Sequence, residues 1–293
     1  MKYFLSSIQT WSYWRYALLS IDGLARILAV LGGIYLLLDM LDFFSMYTRD
    51  KYSAYSFFVV LSFAVVAALL SRRPISRISY RIPKKDFSYE VLIGDLLDSP
   101  ATNIVISTNT TFDTDIASGL INPDSLQGKF TNKYFLGNTV DLDKQVTASL
   151  KGVAFAEHSA GKGKKRRYPV GTVAKVSTHG KTFYLSAMAE LNEEGTAKST
   201  PKMLDAALEA LWEFLATKGE LGDTAIGLIG TGRGRVGLPR KKVIEKIAQS
   251  FADASYDKVF SNKLSIVVFP GDAERFGVNL FEVRDYLAQS LQV

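Results

Sequence analysis

Two long apolar runs occupy the first 71 positions of the chain. The second run, residues 52–71, contains 20 residues without a charge. A helix of that length spans about 30 Å, which matches the hydrocarbon thickness of a bilayer. A buried core helix is the alternative, but soluble helices of this length nearly always carry a polar stripe. The pattern therefore predicts a transmembrane helix at 52–71.

The first apolar run, residues 24–44, is interrupted by Arg26, Asp39 and Asp42. These charges lie near the ends of the run, where their side chains can reach the headgroups at lower cost than at the bilayer centre. The cleanly apolar part, residues 27–38, is only 12 residues long. Paired with the second run through a short link, it predicts a two-helix transmembrane hairpin.

The positive charge of the chain is concentrated beside these runs. Residues 1–85 carry 11 basic and 4 acidic side chains, and the other 208 residues carry 24 basic and 25 acidic ones. Six of the basic residues lie at 72–85, where no acid occurs, and this segment is predicted to be a basic linker. Because cytoplasmic flanks of membrane helices are enriched in Lys and Arg, residues 72 onward and the N-terminus are predicted to be cytoplasmic. A nucleic-acid partner is disfavoured, since the remainder of the chain is not basic.

From residue 86 the pattern changes to alternating strands and helices. Apolar runs typical of buried strands lie at Tyr89–Ile93, Asn103–Ser107, Thr172–Ser177, Thr182–Met188, Thr224–Ile229 and Leu264–Phe269. Amphipathic stretches typical of helices lie at 204–215, 243–251 and 281–291. The sequence therefore predicts a membrane-anchoring region at 1–85 and an α/β domain at 86–293, with a mixed central sheet layered by helices.

The composition excludes several kinds of chemistry. The chain has no cysteine, which excludes disulfides, cysteine-ligated zinc, iron–sulfur clusters and thiol nucleophiles. The two histidines, His158 and His179, are too few for a multi-histidine metal site. We therefore predict no metal site.

A glycine-rich loop is the most specific candidate site. The segment 225–247, AIGLIGTGRGRVGLPRKKVIEKI, combines a buried strand, a loop with four glycines and a helix start. Such a loop brings backbone N–H groups and the helix dipole to a phosphate. A Rossmann site is not supported, because no acid ends the next strand, and the Lys-Ser/Thr of a Walker motif is absent. The predicted loop residues are Gly230, Thr231, Gly232, Arg233, Gly234, Arg235, Val236 and Gly237.

Three other features are weaker candidates. Asp95 follows the first strand and Asn109 closes the second, where a carboxylate and an amide can bind a nucleotide or simply form turns. The basic segment 161–167 is either a solvated or lipid-facing loop or a phosphate site. No Ser–His–Asp arrangement follows from the spacing.

These features together resemble the macro domain, a fold that binds ADP-ribose, over residues 87–293. The resemblance rests on GD at a strand end, on a strand-ending Asn about 14 residues later, and on the late IGTGRGRVGLP loop. It implies that Asp95 holds the adenine and that Asn109 contacts the distal ribose. It also implies that Gly230–Gly237 wraps the diphosphate and that Phe269 stacks near the adenine.

The chain departs from macro hydrolases after Asn109. Those enzymes carry a run of glycines there, whereas residues 110–130 read TTFDTDIASGLINPDSLQGKF, with isolated Gly119 and Gly128. The resemblance therefore favours a ligand-binding domain over an enzyme, with no catalytic residue and no cofactor besides the nucleotide ligand. A membrane-tethered ADP-ribosyl hydrolase and a protein-recruiting scaffold stay open as alternatives.

A two-span anchor joined to a divergent macro domain is similar to the membrane effector (ThsA-type) of type II Thoeris antiphage defence. The resemblance implies a bacterial inner-membrane protein whose partner, a TIR-domain enzyme, makes a histidine conjugate of ADP-ribose. Binding of this ligand would drive assembly into an oligomer or filament, disrupt the bilayer and abort the infection. The loops at 110–129 and 162–167 are the segments expected to move.

Overall fold

The computed structural model describes residues 5, 7–46, 53–72, 74–81, 86–157, 163–191, 197–230 and 236–290. The chain forms two compact units. The first consists of Met1–Ser76 with Asn279–Asp285, and the second of Arg77–Val278 with Tyr286–Val293. The division falls before the predicted domain boundary at residue 85, because a strand that was predicted as linker pairs with the sheet of the second unit.

The first unit is helical. It contains a short helix Trp11–Trp14, a π-helical turn Arg15–Leu19, helix α1 (Ile21–Phe43) and helix α2 (Ser53–Ser71). The hydroxyl of Ser20 accepts a hydrogen bond from the Gly23 N–H at 3.1 Å and caps the start of α1. Helices α1 and α2 pack against each other.

In the part of the chain that the structure describes, the predicted spans 24–44 and 52–71 correspond to helices Ile21–Phe43 and Ser53–Ser71, and Tyr52 lies outside the described residues. Helix α1 is long and apolar enough to cross a membrane, and none of its most apolar part is buried. The apolar part of α2, Tyr55–Ser71, is shorter. One helix long enough to span a bilayer is thus present, and the two-span hairpin stays a prediction.

The second unit is built on a mixed sheet. Its strands are β1 (Arg77–Arg81), β2 (Ser88–Ile93), β3 (Asn103–Asn109), β6 (Val173–Thr178), β7 (Lys181–Leu191), β8 (Ala197–Lys198), β9 (Thr224–Gly227) and β10 (Lys263–Val268), with β4 (Ala156–Glu157) and β5 (Arg166–Arg167) as a separate pair. Across the sheet the order is β1-β2-β10-β9-β3-β7-β6, and β8 pairs with β7. Strands β2, β10, β9, β3 and β7 are parallel, whereas β1 and β6 are antiparallel at the two edges.

Helices cover both faces of this sheet. The remaining helices are α3 (Leu126–Phe135), α4 (Thr139–Ser149), α5 (Pro201–Lys218), α6 (Arg240–Asp257), α7 (Pro270–Arg275) and α8 (Leu280–Ser290). Successive residues of a strand point to opposite faces. Phe183 of β7 contacts Phe130 of α3, with ring centroids 4.6 Å apart, and its neighbour Tyr184 contacts Phe214 of α5. Helix α3 therefore lies on one face and α5 on the other, which confirms the predicted α/β layers.

All six strands and all three helices that the sequence predicts after residue 86 are present. Helices α3, α4 and α7 and strands β1, β4, β5 and β8 were not predicted. Helix α3 forms in a polar stretch because the Ser125 hydroxyl caps the Gly128 N–H at 3.0 Å and Phe130 is fully buried.

Candidate functional site

The carboxyl ends of the four adjacent parallel strands β2, β10, β9 and β3 lie along one side of the sheet, which we call its carboxyl edge. In the register of the sheet, Ile93 at the end of β2 pairs with Val268 at the end of β10, and Val267 pairs with Gly227 at the end of β9. Strand β3 lies next to β9 and runs in the same direction. Ligands of open α/β sheets bind outside such strand ends.

Four sequence-predicted residues follow these strand ends. Asp95 follows β2, Phe269 follows β10, Gly230 follows β9, and Asn109 ends β3. Their order across the sheet is therefore Asp95, Phe269, Gly230, Asn109. With neighbouring strands about 4.8 Å apart, the four positions extend over roughly 14 Å. The structure brings the predicted residues to one edge.

Asp95 is half-buried and holds the turn that follows β2. Its Oδ1 accepts a hydrogen bond from the Leu97 N–H at 2.9 Å and caps the 3₁₀ helix Leu96–Asp98. The preceding Gly94 N–H donates to the Val268 carbonyl at 2.9 Å, which joins the ends of β2 and β10. One carboxylate oxygen of Asp95 thus has a structural role, and Oδ2 is available for another donor.

The base of the glycine-rich loop is tightly closed. The Val236 N–H donates to the Gly230 carbonyl at 3.0 Å, and this hydrogen bond joins the residues on either side of the loop. Gly230 has φ +71°, and a Cβ there would lie 2.2 Å from Met188 Cε and 2.4 Å from Val236 Cγ2. Glycine is therefore required at the base. Gly237 also has a positive φ of +75°. The predicted loop residues Thr231, Gly232, Arg233, Gly234 and Arg235 lie outside the described residues.

Phe269 presents an aromatic surface beside this edge. The residue is 45% exposed. The Nζ of Lys129, on α3, lies 4.7 Å from the ring centroid. A planar group that stacks on this ring would also approach a positive charge.

Asn109 is buried and bonded within its own loop. Its Nδ2 donates to Asp113 Oδ2 at 3.1 Å, and its Oδ1 accepts from the Asp113 N–H at 3.0 Å. The Thr111 hydroxyl lies 3.1 Å from the same Oδ1. Most of the hydrogen-bonding capacity of Asn109 is thus taken up by Asp113 and Thr111.

The basic loop is bonded to the loop that follows Asn109. The Lys164 N–H donates to Asp113 Oδ1 at 2.8 Å, and the Lys164 Nζ donates to the Phe112 carbonyl at 2.6 Å and to Asp143. The Arg166 guanidinium lies 4.5 Å from the ring centroid of Phe155. In the described part of this loop, residues 163–167, Lys164 and Arg166 have protein partners, and Lys162 and His158 lie outside the described residues.

A cationic group at the start of α6 was not predicted. The Arg240 guanidinium packs on the ring of Phe276, 3.6 Å from its centroid, and Arg275 lies 5.3 Å from the same centroid. Burial lowers the pKa of Arg240, while the neighbouring Asp272 carboxylate opposes this effect. The sequence does contain a signal for this group. The first turn of α6 begins Arg-Lys-Lys and holds no acid, whereas the positive end of a helix dipole favours acids.

The described residues contain no cluster of three His, Asp or Glu side chains that could hold a metal ion.

The sequence profile described as Thoeris protein ThsA, Macro domain, matches residues 90–269, which is 180 of the 293 residues. The chain is similar in structure to the Oceanobacillus iheyensis macrodomain with ADP, with a TM-score of 0.48 and 15% identity over 73% of this chain and 97% of that one. It is also similar to the Trypanosoma brucei macrodomain in complex with ADP-ribose, with a TM-score of 0.46 and 12% identity over 70% of this chain and 72% of that one. No curated protein matches it. Since the profile covers more than half of the chain, this protein belongs to the ThsA macro-domain family of Thoeris proteins.

Proposed function

We propose that the second unit binds an ADP-ribose-derived nucleotide along the carboxyl edge of its sheet. The order of the residues across this edge supports the proposal. Asp95 suits the exocyclic amine of adenine, Phe269 its ring, the loop at Gly230 a diphosphate and Asn109 a distal ribose. This order, from Asp95 to Asn109, is the order of the groups along ADP-ribose itself.

The charges around the edge suit an anionic ligand. Backbone N–H groups of a glycine-rich loop before a helix bind phosphate, and α6 begins directly after that loop. Arg240, at the start of α6, is partly buried, and its burial together with the nearby guanidinium of Arg275 disfavours the charged form of Arg240. A bound diphosphate would relieve this repulsion. The basic first turn of α6 therefore supports a ligand with two phosphates.

We further propose that the protein is a membrane effector rather than an enzyme. In this proposal a TIR-domain enzyme of the same system makes the ligand, a histidine conjugate of ADP-ribose. Binding drives homo-oligomerisation, and the assembled helices disrupt the bacterial inner membrane. The exposed apolar surface of α1 and the basic residues at 72–85 support a membrane anchor with a cytoplasmic second unit.

The loop after Asn109 supports binding without hydrolysis. In place of flexible glycines it carries Thr111, Phe112 and Asp113, all of which are buried. Such a loop has little room to position a water molecule over a ribose. A tethered ADP-ribosyl hydrolase and a scaffold that binds no nucleotide are the two competing functions.

Calorimetry on the full-length chain in detergent micelles tests the proposal. We expect saturable heat with ADP-ribose and weaker binding of AMP, because AMP lacks the second phosphate and the distal ribose. Incubation with an ADP-ribosylated protein should release no ADP-ribose. Steady release would instead establish the hydrolase, and an absence of heat with ADP-ribose and with its histidine conjugate would favour the scaffold.

Assembly and membrane damage need a separate measurement. We expect the histidine conjugate to raise the mass of the micelle-bound protein in light scattering and to release dye from vesicles that contain it. A mass that stays constant at saturating conjugate would contradict ligand-driven assembly while leaving nucleotide binding intact.

The exposed ring of Phe269 gives a further prediction. Stacking of a base on an aromatic side chain contributes about 1–3 kcal/mol, so Phe269→Ala should weaken ADP-ribose binding by roughly tenfold. Phe155→Ala is a matched control, because Phe155 is similarly exposed and also lies under a cation, Arg166. Equal losses in the two variants by calorimetry would show that Phe269 does not contact the base.

A further inference from the structure

The loop that follows Asn109 is organised around one buried carboxylate. The Asp113 side chain accepts hydrogen bonds from Asn109 Nδ2, from the Thr111 hydroxyl at 2.5 Å and from the Lys164 N–H. The residue is only 2% exposed. A buried carboxylate with three donors is held firmly, and in turn it holds the groups that donate to it.

The position of Asp113 is set from two other directions. Gln127 Nε2, on α3, donates to the Asp113 carbonyl at 2.5 Å. Gly163 of the basic loop approaches so closely that a Cβ would lie 2.7 Å from Asp113 Oδ1. The contact with Gln127 fixes the backbone of Asp113, and Gly163 of the basic loop limits the space into which its carboxylate could turn.

The contacts of Asn109 decide what its side chain can offer to a ligand. A backbone N–H can only donate, so the Asn109 atom that faces the Asp113 N–H must be the amide oxygen. The Thr111 hydroxyl has one hydrogen, which it donates to Asp113 Oδ2, and its oxygen lies 3.1 Å from the amide oxygen of Asn109, so this amide oxygen is enclosed within the loop. The amide nitrogen has two N–H groups, and one of them is bonded to Asp113 Oδ2. Beyond these contacts, the side chain of Asn109 has one N–H left.

We propose that Asp113 is a positioning residue of the nucleotide site, which orients Asn109 so that it presents a single N–H donor to an acceptor oxygen of the ligand. The inference rests on the proposed function, because it concerns the ribose end of that same site. Asp113 itself does not touch the ligand. Its role is to prevent the amide from rotating, so that the ligand meets a donor and not an acceptor.

The test compares ADP-ribose with ADP, which lacks the distal ribose. Calorimetry uses the full-length chain in micelles with Asn109→Ala, Asp113→Ala and the double variant. We expect both single variants to lose roughly tenfold in ADP-ribose affinity and to keep their ADP affinity. Because Asp113 acts through Asn109, the double variant should lose no more than Asn109→Ala alone.

Asp115→Ala is the matched control. Asp115 lies in the same loop, but it is exposed and its carboxylate accepts from the Ser118 N–H. This variant should bind both nucleotides as the wild type does. If Asp113→Ala does not fold, Asp113→Asn takes its place, because its amide oxygen still accepts one hydrogen bond.

Three outcomes overturn the inference in distinguishable ways. A parallel loss of ADP and ADP-ribose affinity in the Asp113 variant would show a structural role only. Additive losses in the double variant would show that Asp113 does not act through Asn109. If the wild type binds neither nucleotide, the proposed function fails and the positioning role fails with it.

Discussion

Replacing Asp95 by Asn should abolish most of the adenine-nucleotide affinity while leaving the fold intact. In the proposed site, Oδ2 of Asp95 accepts a hydrogen bond from the exocyclic amine of adenine. The Asn side chain keeps an oxygen that can cap the Leu97 N–H, as Oδ1 does now. Its NH₂ group then faces the adenine amine, so two donors meet. Since hydrogen bonds to charged groups contribute about 1.5–3 kcal/mol, ADP-ribose affinity should fall roughly 10- to 100-fold.

Two measurements separate binding from stability in this variant. The thermal midpoint of Asp95→Asn should match that of the wild type, because the helix cap is kept. Asp98→Asn is the matched control, since Asp98 lies in the same 3₁₀ turn but is bonded to Lys133 at the surface. It should leave ADP-ribose binding unchanged. Wild-type affinity in Asp95→Asn would place the adenine elsewhere on the domain.

Replacing Gly230 by Ala should both destabilise the protein and remove nucleotide binding. A side chain at φ +71° is strained, and the new Cβ would overlap Met188 and Val236, two buried residues. Strain and overpacking each cost about 1–3 kcal/mol, so the free energy of unfolding should fall by about 2–6 kcal/mol. The base of the loop would have to open, and ADP-ribose affinity should fall by at least roughly tenfold.

Gly180→Ala shows how much of this effect is backbone strain alone. Gly180 has a similar φ of +69° in the turn between β6 and β7, and a Cβ there meets nothing within 4 Å. We expect this control to lose about 1 kcal/mol in denaturant unfolding and no nucleotide affinity. If Gly230→Ala loses no more stability than Gly180→Ala, the loop base is more adaptable than its contacts indicate.

Elements with a strong hydrophobic pattern could be predicted from sequence, and elements stabilised by tertiary contacts could not. The strand at Leu264–Phe269 is almost continuously apolar, because it is buried on both faces of the sheet. Strand β1 was taken for a basic linker, since Arg77 and Arg81 flank its one buried residue, Ile78. It forms because an edge strand needs only one partner and one buried face. Periodicity gives no signal for such a strand.

The residues of the candidate site likewise fall into those that the sequence indicates and those that only tertiary contacts bring together. Asp95 and Asn109 could be placed at strand ends because polar residues after buried strands are visible in the sequence, whereas Phe269 was chosen through the macro-domain resemblance. The group at Arg240 and Phe276 was missed, because these residues are far apart along the chain and meet only when α7 packs beside the start of α6. The basic first turn of α6 was the one signal in the sequence that could have indicated it.

The sequence by itself determined which runs form the buried strands and that a glycine-rich loop leads into a helix. Those properties depend on local backbone preferences and on burial patterns along a few residues. Along the chain the site residues occur as Asp95, Asn109, Gly230 and Phe269, whereas across the sheet the order is Asp95, Phe269, Gly230 and Asn109. Only the tertiary structure decided that order, because strand pairing places β10 and β9 between β2 and β3. It also decided that the amide of Asn109 is held by Asp113, because hydrogen-bond partners are chosen by proximity in the folded loop.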